Sequence, residues 1–536
     1  MKQTVRTLFF SFLLFLPFSP VGASDRPNVA AVETITAGEL HSIVSFLSSD
    51  EMEGRDTGTT ENLIAANYLA NQLELMGLKP AGDQGTFFQS FDVIRQHLGT
   101  TNTLTLSPGE GTTVQAELFE DFFPSPFSQT ARASGRLAFV GYGITAPEFG
   151  VDDYAGQNLN GRIALVLTGD LSDDLESQSD GPMDTEYARE SYKLVNAQAH
   201  GASGVLFISR GRWGSLQRQA RYRWPASEER TRFLLGDEVD QIHIPAAYLK
   251  LDLVRKLGAG SLDDLNEALD STADSKVRLL DISAVLDVQI ERTRVRTRNV
   301  LAQLPGSDPV MNREAVLVSA HLDHVGVNGG QIFHGADDDA SGSAGVLETA
   351  EAFASNPRAP ARTVLLALWN AEEQGLLGSR YFVRHPTFPI ERIHAVFQMD
   401  MIGRNQEVTN SGDARFDGLP EQTAAQNENT LNLVGYTRSR DLRHLMERAN
   451  RSIGLRLLCQ MDDQPLQLIR RSDSWPFLLH GIPSMLLTTG LHPDYHTPGD
   501  LASKLNYPKM EKVVRLVYLS AWQAATSDQP IHLDPR

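Results

Sequence analysis

The sequence predicts an α/β fold: a mixed, mostly parallel sheet flanked by helices, interrupted by an inserted β-rich α+β block. Three observations carry this. From about residue 298, apolar strand-like runs alternate with helix-like runs, the pattern of crossover connections in a parallel sheet. From about residue 100 to 285 the texture differs, with short apolar runs broken by Gly, Pro and Asp. The 536 residues leave room for two to four domains, and 41% hydrophobic with 21% charged residues is an ordinary globular balance.

In chain order, residues 1–23 read as a secretory signal: Lys2 and Arg6 precede an apolar core from Leu8 to Phe18, and Val21-Gly22-Ala23 sets cleavage after Ala23. The run is short and broken by Pro17, which argues against a membrane anchor, and nothing later resembles a transmembrane helix. The expected address is therefore periplasmic or extracellular. ENLIAANYLANQLELMG has helical spacing at Leu63, Ala66, Leu69, Leu73 and Met76, with Gly77 as its C-cap. TTNTLTLSPGEGTTVQAEL reads as a hairpin. RLAFVGYGITAPEFGVDDYAGQNLNGRIALVLTGD, KLVNAQAHGASGVLFIS and IPAAYLKL then form a block with few groups able to do chemistry together. This block, 125–285, is expected as a separate domain between two parts of another, 24–124 and 286–536.

In the last part EAVLVSA, TVLLALW, AVFQMDM and PSMLLTTG read as strands. ASGSAGVLETAEAFA and GLLGSRYFVRH read as helices, and a closing helix is predicted from Tyr507 to Ala525. The formal charge of −19 makes nucleic-acid or anionic-membrane binding a poor expectation. A single cysteine, Cys459, excludes an intramolecular disulfide and a thiolate zinc site, and reads as a small core residue. Any metal site must then use histidines and carboxylates.

Sites in open α/β sheets form at the carboxyl ends of strands. EAVLVSA runs into His321 and Asp323, and HGADDDASG brings Asp337, Asp338 and Asp339. TVLLALW runs into Glu372 and Glu373 of WNAEEQG, AVFQMDM carries Asp400, and PSMLLTTG delivers His496. Taken singly, His496 is a turn residue, the three aspartates a helix cap, and Glu372 with Glu373 another cap. Together, so many acids at one sheet edge would repel unless cations sit among them. Two histidines with carboxylates suit zinc, with manganese or cobalt possible. Sharing the ligands out gives two sites bridged by one aspartate, with one acid left over as general base.

The run from HLDHVG through GADDDASG, WNAEEQGLLGSRYF and QMDMIGR to LHPDYHTPGD resembles the two-zinc aminopeptidase family that also includes glutamate carboxypeptidases. VGYGITAPEFGVDDYAG with HGASGVLF resembles the protease-associated domain that many members carry as an insertion. The resemblance implies a zinc exopeptidase fold of the phosphorylase/hydrolase-like kind and two zinc ions. It implies that His321 and Asp400 bind one ion, Glu373 and His496 the other, and that Asp338 bridges them. It makes Glu372 the general acid/base, Asp323 the carboxylate that orients the ligand imidazole, and Tyr495 a holder of the reacting carbonyl oxygen. One departure is RRSDSWPF, where Ser474 stands in place of a histidine common in relatives. That substitution is expected to alter the shape or polarity of the nearby pocket.

These readings lead to an exported zinc exopeptidase acting on peptides, an aminopeptidase that removes N-terminal residues with metal-activated water and Glu372 as base. The alternative is a carboxypeptidase or dipeptidase on the same metals, whose basic pocket Arg470 and Arg471 would supply. An inactive binding protein on this fold would be expected to have lost ligands, and none is missing. A cyclising enzyme of this fold would use one zinc. No histidine is followed by Glu, so HExxH is absent, as is GxSxG. The inserted domain is expected to cover or shape the substrate cleft.

Overall fold

Four apolar runs, Thr363–Trp369, Ala315–His321, Ile393–Met399 and Ser484–Thr488, lie side by side as parallel strands at the centre of the larger sheet. They belong to a computed structural model that describes residues 29–147, 150–169, 186–209, 211–224, 233–259, 277–409, 413–416, 418–462 and 467–534. The signal expected at residues 1–23 lies outside the described residues. Among the described residues, no helix is long and apolar enough to cross a membrane.

Every residue of Ala315–His321 and Thr363–Trp369 is buried, which is why these strands are continuously apolar rather than alternating. Alternate positions face opposite layers. Val316, Val318, Val364 and Leu366 pack into one core with helices Ala37–Leu47, Thr60–Leu75, Gly342–Ala354 and Tyr507–Thr526. Leu317, Leu365 and Trp369 pack on the other face against Phe382, Val383 and Phe477 of helices Leu377–Arg384 and Ser474–Leu479. Each such side chain contributes roughly 1.5–3 kcal/mol by burial. The predicted helices and strands of this part are all present. Gly77 follows the Thr60–Leu75 helix at φ +83°, where a side chain would be strained, and so ends it as expected.

Outside the parallel core the sheet turns antiparallel. Ile290–Leu304 pairs with Thr363–Trp369 on one edge and with Phe88–Leu98 beyond it, and Thr430–Val434 pairs antiparallel with Ser484–Thr488 on the other. From Ala315–His321 the chain moves first to the neighbour on one side, Thr363–Trp369, and then to the neighbour on the other, Ile393–Met399. That reversal opens a crevice at the carboxyl end of the Ala315–His321 strand.

A second, eight-stranded mixed sheet has its own cores. Its parallel centre is Ala131–Phe139, Arg162–Leu167, Gly204–Ile208 and Ala246–Leu249. The boundary expected at 125–285 is too narrow. The hairpin Thr103–Pro108 with Val114–Ala116 joins this sheet, and its strand Arg278–Val288 runs past 285. The hairpin's apolar residues Leu104, Leu106 and Ala116 pack with the second body's core, which is the physical reason it belongs there. Phe233–Leu235 does the reverse, pairing with Phe88–Leu98 of the larger sheet. Cys459, expected in the core, is exposed, because it follows the three-residue edge strand Arg456–Leu458.

Candidate metal centre and catalytic cleft

His321 is the last residue of its strand, and its Nε2 lies 3.2 Å from Asp338 Oδ1 and 3.7 Å from Asp400 Oδ1. His496 Nε2 lies 3.0 Å from Asp338 Oδ2 and 3.0 Å from Glu373 Oε2. The structure thus brings His321, Asp338, Glu373, Asp400 and His496 to one crevice, with the two oxygens of Asp338 divided between the two histidines. Ligand atoms about 2.0 Å from a tetrahedral zinc lie about 3.3 Å apart, the spacing seen here. Asp338 Oδ2 is buried and makes no hydrogen bond, as expected of an atom aimed at a shared centre and not at its neighbours. The donor set could hold divalent ions in two groups: His321 and Asp400 with Asp338 or Asp339, and Glu373 and His496 with Asp338 and, within the same reach, His324.

The three adjacent aspartates have separate tasks. Asp339 also comes within ligand distance of His321 and Asp400. Its oxygens, however, are taken by the N–H groups of His321 at 3.1 Å, Gly342 at 2.8 Å and Met401 at 3.2 Å. Asp337 accepts from Gly403 N–H at 2.6 Å. Asp338 alone points both oxygens into the crevice. Burial works against its charge, yet His324, His321 and His496 hold its carboxyl well below the ordinary range. Glu373 is also opposed by burial, and His496 above all holds it at about 2. Both are therefore anions, the form a ligand must take.

Glu372 lines the same cleft but stands apart from the ligand contacts. Burial pushes its carboxyl well above the ordinary range, His321 opposes this, and Glu373, Asp473 and Asp400 add to it. A site where the acid form is favoured suits a group that must hold a proton briefly.

Asp323 was expected to orient the His321 ring with its carboxylate. The bond from Nδ1 runs instead to the Asp323 main-chain oxygen at 3.1 Å, while the carboxylate stands off at 3.9 Å. The carboxylate is occupied elsewhere: it accepts the N–H groups of Glu372 at 3.1 Å and Glu373 at 3.3 Å. One residue thus fixes both the imidazole and the loop that carries the two glutamates.

Tyr495 lines the cleft, with its hydroxyl receiving a hydrogen bond from Arg471 at 3.0 Å and its ring stacked 4.0 Å from that of His496. Of the two candidate arginines, Arg471 reaches the cleft and Arg470 lies over the Trp475 ring. Ser474, the departure from the family pattern, is buried in the first turn of its helix, and Ser472 lines the cleft in its neighbourhood.

Three contributors escaped the sequence reading. His324, completely buried, places Nδ1 2.8 Å from Glu373 Oε1. Asp500 accepts the N–H groups of Asp337 and Asp338 at 3.0–3.1 Å, holding Asp338 from behind. Arg55, also completely buried, donates to the carbonyls of Leu322 at 3.0 Å, His334 at 2.8 Å and Gly335 at 3.0 Å, and to that of Leu47. Burial lowers its pKa to about 10, while Asp338, Asp323, Asp339 and Asp500 resist that shift. Met401, Leu468, Leu486 and Leu491 form the apolar side of the cleft.

Residues 299–521 match the family model described as Peptidase family M28. An aminopeptidase from Pseudomonas aeruginosa is 36% identical over 140 residues, 26% of this chain and 23% of that protein. A probable leucine aminopeptidase 2 from Aspergillus oryzae is 29% identical over 42% of this chain and 44% of that protein. The matched segments thus span less than half the length of these curated relatives. Among solved structures, an aminopeptidase from Aneurinibacillus sp. strain AM-1 aligns over 94% of this chain and 98% of that one, with TM-score 0.49 and 21% identity.

Proposed function

We propose that this chain, whose residues 299–521 match the model of peptidase family M28, is an exported di-zinc aminopeptidase that removes N-terminal residues from peptides. The observation that carries the reading is the division of labour in WNAEEQG: Glu373 joins His496 and Asp338, while the adjacent Glu372 faces the cleft without a ligand partner. His321, Asp338 and Asp400 would hold one ion and Asp338, Glu373 and His496 the other. When bound, two ions there supply an activated water and charge for polarising the peptide carbonyl.

The chain's own residues do the rest. Glu372 takes a proton from the attacking water and passes it to the leaving nitrogen. Tyr495, held by Arg471 at 3.0 Å, donates its O–H toward the carbonyl oxygen as charge develops there. Met401, Leu468, Leu486 and Leu491 offer an apolar wall to the first side chain, favouring mid-sized apolar residues. The basic and apolar start of the sequence, ending at Val21-Gly22-Ala23, supports export to the periplasm or medium.

Arg471 in the cleft favours a second reading, a carboxypeptidase that grips a terminal carboxylate. Its bond to Tyr495 ranks this second, because the guanidinium already has an acceptor in the site. Digestion of one apolar-starting peptide beside N-acetylated and C-amidated copies separates the two. The free and amidated peptides should be cut, the acetylated one spared, and a chelator should stop all cleavage. Cleavage of the acetylated copy with sparing of the amidated one would replace this reading with the carboxypeptidase.

A further inference from the structure

His324 lies three residues beyond the ligand His321, in the loop that follows its strand, and is buried against the ligand Glu373. We infer that His324 is a positioning residue, an imidazole brace whose Nδ1–H holds the Glu373 carboxylate in the orientation that receives the second metal ion. The inference rests on the di-zinc reading above.

The geometry supports a brace more than a simple core histidine. The Nδ1 to Oε1 separation of 2.8 Å is that of a charge-assisted hydrogen bond. An ionised carboxylate can only accept, so Nδ1 must carry the proton, which fixes the tautomer. Glu373 offers both its oxygens to His496, at 3.1 and 3.0 Å, and one of them also to His324. Without a second partner that carboxylate could rotate about its terminal torsion, which is broad and weakly restrained.

The ring itself is clamped. Gly335 has φ +59°, and a Cβ there would come within 2.5 Å of the His324 ring carbons, so its backbone packs directly on the imidazole. The His496 ring meets it edge-on at 5.6 Å. Nε2 is buried with no hydrogen-bond partner, so the surroundings give the ring no competing bond. A hydrogen-bonded partner behind a metal ligand orients it and typically changes metal affinity 10- to 100-fold. His324 is close to Asp338 as well, at 3.7 Å, so direct ligation is the rival role to be separated.

The test uses the full-length zinc-loaded protein and its His324→Ala and His324→Asn variants, with zinc affinities read by chelator competition. Thermal melting of the metal-free proteins checks that each variant is folded. Alanine should weaken one of the two zinc sites by 10- to 100-fold and leave the other unchanged. Asparagine, whose amide N–H stands close to the place of Nδ1–H, should restore most of that loss. X-ray absorption of the unmodified zinc protein should count two imidazoles over two ions and does not depend on any variant folding. Three imidazoles, an asparagine variant as weak as alanine, or an alanine variant with both affinities intact would each overturn the brace. An unmodified protein that binds no zinc would instead remove the di-zinc reading on which it rests.

Discussion

Glu372 and Glu373 sit side by side, yet their surroundings push their carboxyls in opposite directions, one well above the ordinary range and the other down to about 2. That separation comes from which side chains each one meets, since burial raises both. Tyr495 and Arg55 define two further residue-level expectations. Tyr495→Phe removes the hydroxyl held by Arg471 but no proposed metal ligand. It should lower kcat by about 100- to 1,000-fold with bound zinc unchanged, checked by steady-state kinetics beside metal analysis. Arg55→Met leaves four carbonyls in three segments without their donor and removes the positive charge behind the acids. Denaturant unfolding of the zinc-loaded protein should show a loss of about 3–5 kcal/mol. The proposed ligands were legible because each follows an apolar strand or belongs to a long motif. Arg55 was not, since a cation in the polar stretch DEMEGRDTG reads as surface until the fold closes over it. His324 was hidden for a similar reason: its spacing from His321 says nothing about where its ring points.

At the scale of elements, the strand ends position the site and the turns after them carry the strain. Ala371 before Glu372, Met401 after Asp400, and His496 itself all have φ between +52° and +60°, uncommon for residues with side chains. Such conformations cost on the order of 1 kcal/mol or more each and persist where surroundings enforce them, as at functional sites. The parallel strands and their helices were readable from periodicity. The long ribbon of Phe88–Leu98 with Ile290–Leu304 was not, because Arg292, Arg294, Arg296 and Arg298 occupy alternate positions and make the segment look polar. Their partners explain the pattern: Arg294 and Arg296 pair with Asp92, and Arg298 covers the Phe88 ring. On the helix Gly342–Ala354, Glu348 is raised from 4.5 to about 8 by burial, with Glu39, Glu351 and Glu511 facing it and its own bond to Thr36 N–H opposing. Glu511 in turn pairs with Arg515 at 2.9 Å. Between pH 4.5 and 8 the folded protein therefore keeps a proton that the unfolded chain has released, so this group's contribution to stability falls as pH rises. Glu348→Gln should gain stability relative to the unmodified protein on going from pH 5.5 to 8, by up to about 1 kcal/mol per pH unit, as read by urea unfolding at both values.

For the whole molecule, the two bodies are joined by more than the crossings near residues 99 and 289, where Gly99 N–H meets the Gln289 carbonyl at 2.8 Å. Phe233–Leu235 returns to the larger sheet, and Phe233 N–H donates to Gln374, the residue after Glu373. Glu238 pairs with Arg380 at 2.6 Å and with Arg384 at 2.8 Å, on the helix that follows the two glutamates. The inserted region is thereby tied to the loop that carries Glu372 and Glu373, a link invisible to a boundary drawn at 125–285. Glu238→Ala should lower kcat/KM by roughly tenfold or more without loss of zinc, since small displacements of positioned groups are costly. Loss of metal in that variant would show that the tie supports the ligands instead. The central claim is that Glu373 holds metal while Glu372 moves the proton. It is tested most directly by measuring bound zinc and peptide turnover together in Glu372→Gln. Two zinc ions per chain with turnover reduced by about 100- to 10,000-fold is the predicted result; unchanged turnover, or loss of a zinc ion, would contradict it.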